Sequence, residues 1–158
     1  MINTIYIGLG SNVGNRDVHL NRVFSLLEKH EDIELSQVSS FIETKAVSKS
    51  KQPNYLNAAA ELSSLLSLRD FFQITLDIEQ EMGRLSKGNW DPRIIDIDLL
   101  FFNQDIVLED DLIIPHPLLH ERRFVLEPLK EIAPDFNHPL LNQTVAELYE
   151  EQCVLAKS

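Results

Sequence analysis

Cysteine is nearly missing from this chain: Cys153 stands alone among 158 residues, so no disulfide can form within it. Long apolar runs are missing too. No stretch approaches the roughly 18 consecutive apolar residues of a membrane span. The opening MINTIYIGLGSN has neither the basic start nor the apolar centre of an export signal and reads as a strand that begins at once. Together these absences argue against a membrane partner and point to the cytoplasm. Basic residues are scarce, 14 Lys and Arg against 25 Asp and Glu, for a net charge of −11. Such a chain repels nucleic-acid phosphates unless its cations are gathered in one place. Arg84, Lys87 and Arg93 are gathered, around two aspartates, with Arg122 and Arg123 further on. That pattern suits a small polyanion held together with a metal ion and does not suit a DNA-binding surface. No repeat, low-complexity segment or linker rich in Gly, Ser or Pro divides the chain, and its length suits one domain over 1–158 with a real core.

Hydrophobic spacing gives the elements. Residues 4–9 are β-prone, and GSNVGN at 10–15 reads as a turn. Apolar positions within 16–30 recur at helical spacing, 33–43 reads as one strand, and 45–54 as a polar loop. YLNAAAELSS at 55–64 suits helix by alanine propensity, but 68–83 is the stronger helix, so 55–64 is assigned to a strand. A glycine-containing loop at 83–92 leads into the strand IIDIDLLFF. Prolines 115, 117 and 128 make 112–128 irregular, with room for a short helix, and 143–151 reads as a last helix. The order strand, helix, strand, strand, helix, strand matches an α+β ferredoxin-like βαββαβ sandwich, with a mainly antiparallel sheet and helices packed on one face.

Several stretches could carry chemistry. GLGSNVGN spaces its glycines as G-x-G-x-x-x-G, one residue off the dinucleotide fingerprint, and reads as a tight strand-to-helix turn. GRLSKGNW keeps the glycine spacing of a P-loop, but Asn89 and Trp90 stand at its Lys and Ser/Thr places, which excludes that phosphate cradle. In WDPRIIDIDLLFF, strand alternation puts Asp96 and Asp98 on one face, about 6–7 Å apart at Cα, with Ile95, Ile97 and Leu99 on the other. Two carboxylates so close can share a proton, bind a divalent cation, or stand as ordinary charges on a solvent-facing edge strand. Arg84 and Arg93 nearby favour a metal–phosphate site. His116 in IPHPLLHERRF could be a base, a phosphate contact, a metal ligand or a partly buried polar residue. Arg122 pairs a phosphate-binding group with the aromatic Phe124. Tyr55 and Asn57 share a face if 55–64 is a strand, where they could stack on and hydrogen-bond a flat heterocycle.

The blocks YIGLGSN, VSSFIETKAV, QPNYLNAAAEL, WDPRIIDIDLL and IPHPLLHERRFVLEPLKEIAPDF, in this order, resemble the 6-hydroxymethyl-7,8-dihydropterin pyrophosphokinase family over nearly the whole chain, most specifically at PRIIDID. The resemblance implies a ferredoxin-like fold. It implies transfer of the pyrophosphoryl group of ATP to the pterin's hydroxymethyl group, with release of AMP, in folate biosynthesis. It makes Asp96 and Asp98 ligands of two Mg²⁺ ions and Arg84 and Arg93 phosphate contacts. It assigns Thr44, Val47, Tyr55, Asn57 and Phe124 to the pterin pocket, and Glu79, Trp90, Leu99, His116 and Arg122, with the two arginines, to the nucleotide site. A monomer is the expectation, with a dimer left open. The chain departs from the family pattern at Asp91 for glycine, Asn89 for a basic residue, Ser86 for an arginine, Lys45–Ala46 for Pro-Pro and Pro117 for tyrosine. A small regulatory ligand-binding module is the competing reading, since ferredoxin-like domains serve that role as well. The nucleotide product separates the two: AMP for the pyrophosphokinase, ADP for an ordinary kinase, none for a binding module.

Overall fold

A computed structural model describes residues 1–44, 54–83 and 94–156. The first half of the fold comprises β1 (Asn3–Ser11), α1 (Arg16–Glu28), β2 (Ile33–Val38), β3 (Ile42–Thr44), β4 (Tyr55–Ser64), α2 (Leu68–Glu81) and β5 (Asp96–Phe102). After these come a hairpin of β6 (Val107–Glu109) and β7 (Leu112–Ile114), a 3-10 turn at Leu119–Glu121, and helices α3 (Arg123–Ile132) and α4 (Val145–Ala156). The main sheet runs β2–β4–β1–β5, with β3 also on β4, and its pairings are all antiparallel. The antiparallel sheet and the alternation of strands and helices along the chain agree with the ferredoxin-like arrangement anticipated from the sequence, with β4 and β1 as the central strands.

The first face of the sheet is covered by α1 and α2. In α1, Leu20, Val23, Phe24 and Leu27 are buried at i, i+3, i+4 and i+7. In α2, Phe71, Thr75 and Ile78 form a similar stripe, and the Ser67 hydroxyl caps the helix by accepting the Asp70 N–H at 3.2 Å. These stripes meet Ile5, Ile7, Leu9, Ala58, Ala60, Leu62, Ile97 and Leu99 in one core. The segment 55–64 is a strand, as assigned, despite its three alanines. It is paired on both sides, and that pairing outweighs alanine's helix propensity.

Three features differ from the sequence-based expectation. The helices do not lie on one face only. Val125, Leu126 and Leu129 of α3, with Val145 and Leu148 of α4, bury a second core against Tyr6, Ala59, Leu100 and Phe101 on the opposite face. Pro128 lies buried inside α3 without ending it, because the apolar stripe around it is buried on the sheet. Residues 33–43 form two strands, not one. At the break, the buried Ser39 donates its N–H to the Ala59 carbonyl at 2.9 Å and its hydroxyl accepts the Ala59 N–H at 2.9 Å, so a side chain replaces a rung of the ladder. Finally, β5 carries a bulge. Ile7 pairs with Leu99 and Tyr6 with Phe101, leaving Leu100 as the extra residue. Leu100 and Phe101 therefore both enter the second core, while Asp96 and Asp98 keep the alternation that places them on that same face.

Candidate active site

The register across β4, β1 and β5 builds the site row by row on the second face. One row is Asn57–Gly10–Asp96 and the next is Ala59–Gly8–Asp98. A third row, Glu61–Tyr6–Phe101, closes the apolar end, where the Tyr6 hydroxyl donates to Glu61 at 2.8 Å. Burial first, and then the Glu61 carboxylate, push the Tyr6 phenol well above its ordinary range. The central strand contributes only glycine to the first two rows. The result is a glycine strand that lets neighbouring side chains close in, Leu100 over Gly8 and Asn57 and Tyr55 over Gly10, with the two partly exposed aspartates on the other side.

The spacing of GLGSNVGN reads as a tight turn at or beside Gly8 and Gly10. Both lie within β1, and of the three glycines in GLGSNVGN only Gly14, at φ +67°, adopts a turn conformation that requires glycine. At Gly10 the requirement is space. A Cβ there would lie 3.1 Å from Asn57 Oδ1 and 3.5 Å from Tyr55 Cδ1. These two glycines are the functional positions that sequence reasoning missed. The available signal was their i, i+2 spacing inside a β-prone run, which places both on one face.

Each remaining side chain is held by its own element. Asn57 is 6% exposed and donates its Nδ2 to Thr44 Oγ1 at 2.6 Å, which fixes the orientation of its amide. Thr44 pairs with Tyr55 at the end of the β3–β4 ladder. His116 donates its backbone N–H to Leu100 O at 3.0 Å, which pins the segment to β5. Its Nδ1 accepts the Leu118 N–H at 3.2 Å, so Nε2 carries the proton of the neutral ring. That Nε2 lies 3.9 Å from Asp98 Oδ1. Arg122 immediately precedes α3, and its guanidinium stands 5.8 Å from the ring centroid of Phe124, which packs against the second core.

The structure therefore brings Thr44, Tyr55, Asn57, Asp96, Asp98 and His116 around one glycine floor, and joins Arg122 to Phe124 beside the second core. Two expected residues stand apart. The Leu99 side chain lies in the first core, facing away from the aspartates, so only its backbone is available to a ligand on their face. Glu79, 3% exposed on α2, accepts the Ile97 N–H of β5 at 2.8 Å and so satisfies a backbone group of the sheet's edge strand. Val47, Arg84, Trp90 and Arg93, expected at the site, lie outside the described residues, as does Asp91.

Among the described residues, no group of three or more His, Cys, Asp or Glu side chains is placed to hold a metal ion on its own. Two carboxylates on one face nevertheless fit Mg²⁺. It is a hard cation that accepts one or two protein carboxylates and completes its shell with water and substrate phosphate oxygens.

The model of the family described as 7,8-dihydro-6-hydroxymethylpterin-pyrophosphokinase matches residues 6–134. A Bacillus subtilis 2-amino-4-hydroxy-6-hydroxymethyldihydropteridine pyrophosphokinase is 41% identical over 132 residues, 84% of this chain and 79% of the relative. An Aquifex aeolicus protein of the same name is 34% identical over 148 residues, 94% of this chain and 91% of the relative. Among solved structures, a Plasmodium falciparum HPPK-DHPS chain matches with a TM-score of 0.82 at 17% identity, covering 100% of this chain and 47% of that one. This chain thus spans about half of that longer protein, and the likeness supports the fold. From the family match over most of its length and these two relatives, the chain belongs to the 7,8-dihydro-6-hydroxymethylpterin-pyrophosphokinase family.

Proposed function

We propose that the glycine-floored face between Asn57 and the Asp96/Asp98 pair is where this chain transfers the pyrophosphoryl group of ATP to 6-hydroxymethyl-7,8-dihydropterin. In this reaction the hydroxymethyl oxygen attacks the β-phosphorus, the bond from that phosphorus to the α-phosphate's bridging oxygen breaks with its electron pair passing to AMP, and the hydroxyl proton is released to solvent as AMP leaves. The observation that carries the assignment is the register. It sets a fixed amide and an aromatic ring on one side of Gly8 and Gly10, and two carboxylates within two rows on the other.

Each residue has a role that follows from its placement. Tyr55 and Phe124 supply aromatic faces for the pterin ring, and Asn57, oriented by Thr44, bonds its polar edge. Asp96 and Asp98 would hold the two Mg²⁺ ions, which when bound neutralise phosphate charge and align the reacting groups. His116 presents its Nε2 proton beside Asp98, where a phosphate oxygen can accept it. Arg122 lies close enough to Phe124 to meet the nucleotide next to the pterin. Val47, Arg84, Trp90, Leu99 and Arg93 complete the pocket and the phosphate grip in this reading. Glu79 contributes indirectly, by holding the backbone between the two aspartates. No helix among the described residues is long and apolar enough to cross a membrane. The reading includes a cytoplasmic monomer acting on these two small substrates.

The test is product analysis with ATP, Mg²⁺ and the hydroxymethyl-dihydropterin. AMP and the pterin diphosphate are the expected products, and ADP, or no nucleotide product, would overturn the reading. Asp98→Ala should lower turnover by roughly a hundredfold or more while the fold survives. Near-normal turnover of that variant at saturating Mg²⁺ would sink the metal assignment.

A further inference from the structure

Arg16 opens α1, where the helix dipole favours acids and disfavours a cation. Its neighbour Asn15 makes no side-chain cap. Helix stability therefore does not account for an arginine at this position, but its contacts do. A single nitrogen, Nη1, donates to the Asn54 carbonyl at 2.7 Å and to Glu43 Oε1 at 3.0 Å. Glu43 lies in β3 and Asn54 immediately precedes β4, so Arg16 bridges the two strands where their ladder ends. The last rung of that ladder is Thr44–Tyr55, and Thr44 in turn orients Asn57. The same guanidinium ties this end of the ladder to the start of α1, just after the fully buried Ser11 and Asn12.

We propose that Arg16 is a positioning residue for the pterin side of the reaction: by clamping Glu43 and the Asn54 carbonyl together, it keeps the Thr44–Tyr55 rung closed and the pterin-facing side chains in register. The proposal rests on the assignment of Tyr55 and Asn57 to the pterin. Ladder ends fray when their terminal groups are exposed, and one charged donor shared by an acceptor on each side opposes that opening. Because both ion-pair partners are partly exposed, with side chains 26% and 53% accessible, the clamp acts on local order far more than on global stability.

The experiment compares Arg16→Gln, Arg16→Lys, Glu43→Gln and the Arg16→Gln/Glu43→Gln double variant with the parent enzyme, measuring KM for pterin and for ATP separately, kcat and Tm. Arg16→Gln should raise the pterin KM roughly three- to tenfold, with kcat and the ATP KM changed less than twofold and Tm nearly unmoved. Arg16→Lys should recover part of that rise, because its ammonium keeps the charge and the donors but lacks the rigid planar guanidinium that holds Nη1 between the two acceptors. The double variant should match Arg16→Gln rather than add to it. An unchanged pterin KM in Arg16→Gln overturns the proposal, as does a parallel rise in both KM values or a fall in Tm that accounts for the loss. Tyr55→Ala separates this inference from the site assignment. If it raises the pterin KM while Arg16→Gln does not, only the clamp fails. If Tyr55→Ala leaves the pterin KM unmoved, the pocket assignment itself is wrong.

Discussion

A methyl group on Gly10 would press on Asn57 Oδ1 at 3.1 Å, closer than ordinary contact, and would meet the Tyr55 ring at 3.5 Å. The backbone at Gly10 is ordinary strand, so Gly10→Ala should fold normally and act on its neighbours. Asn57 can yield only by giving up its 2.6 Å bond to Thr44 or by leaving its rotamer, which costs about 0.5–1.5 kcal/mol. The expected result is a roughly three- to tenfold rise in the pterin KM with the ATP KM little changed, read by steady-state kinetics; an unchanged pterin KM would show that Asn57 need not stay where it is. At this scale the sequence was legible where function depends on one strand alone. The shared face of Asp96 and Asp98 follows from a period of two, whatever lies beside them. Gly10 was not legible in the same way, since a glycine that makes a turn and one that makes room for a cross-strand neighbour look alike until register is known. The unusual Asp91 keeps no structural account.

Elements position the aspartates through bonds that no local pattern reveals. β5 is an edge strand, and the Ile97 N–H, lying between Asp96 and Asp98, is met by the Glu79 carboxylate of α2 at 2.8 Å. Removing a buried acceptor leaves a donor unsatisfied, at a cost of about 1–3 kcal/mol. Glu79→Ala should therefore lower the unfolding free energy by about that amount in a denaturant titration, and Glu79→Gln, which keeps an acceptor oxygen, by less. Equal losses from the two variants would mean that the hydrogen bond is not what matters. The split of 33–43 into β2 and β3 has the same character. Ser39 breaks the strand by putting its hydroxyl into the ladder, and Ser40 then donates its N–H and hydroxyl to Glu131 of α3 at 2.8 and 2.7 Å. A serine pair in a β-prone run gives no hint of this, because the partner lies 91 residues away. The β4 assignment rests on a local signal, the strong helix that follows it, and the strand is confirmed by its pairing on both sides.

At the scale of the molecule, the fold closes only when the last third of the chain covers the sheet's second face, and that layer was the least legible part. Its prolines read as irregularity, while its stripe became visible as a core only against Tyr6, Leu100 and Phe101. His138 fastens this layer. It is 3% exposed, its ring stands edge-on to Phe101 at 5.5 Å, and its Nδ1 accepts the N–H groups of Leu140 and Leu141 at 3.2 and 3.1 Å. Burial, reinforced by the neighbouring His120, holds its pKa below the ordinary 6.5. The folded state thus keeps His138 neutral over a range in which the unfolded chain takes up a proton. The unfolded state binds more protons there, so stability rises with pH across that window. The contribution of His138 is complete above about pH 6.5 and is lost progressively as pH falls below it, toward the depressed folded value. Glu147, also held below its ordinary range by the Thr144 N–H and hydroxyl, titrates at more acid pH and does not confuse the window. Tm measured from pH 7.5 to 5 should fall more steeply for the parent protein than for His138→Gln, whose amide oxygen can still accept a backbone N–H but cannot bind a proton. Because four other histidines are common to both proteins, the difference between the two slopes is the readout, and parallel slopes would show that His138 carries none of the acid sensitivity of the α3–α4 layer.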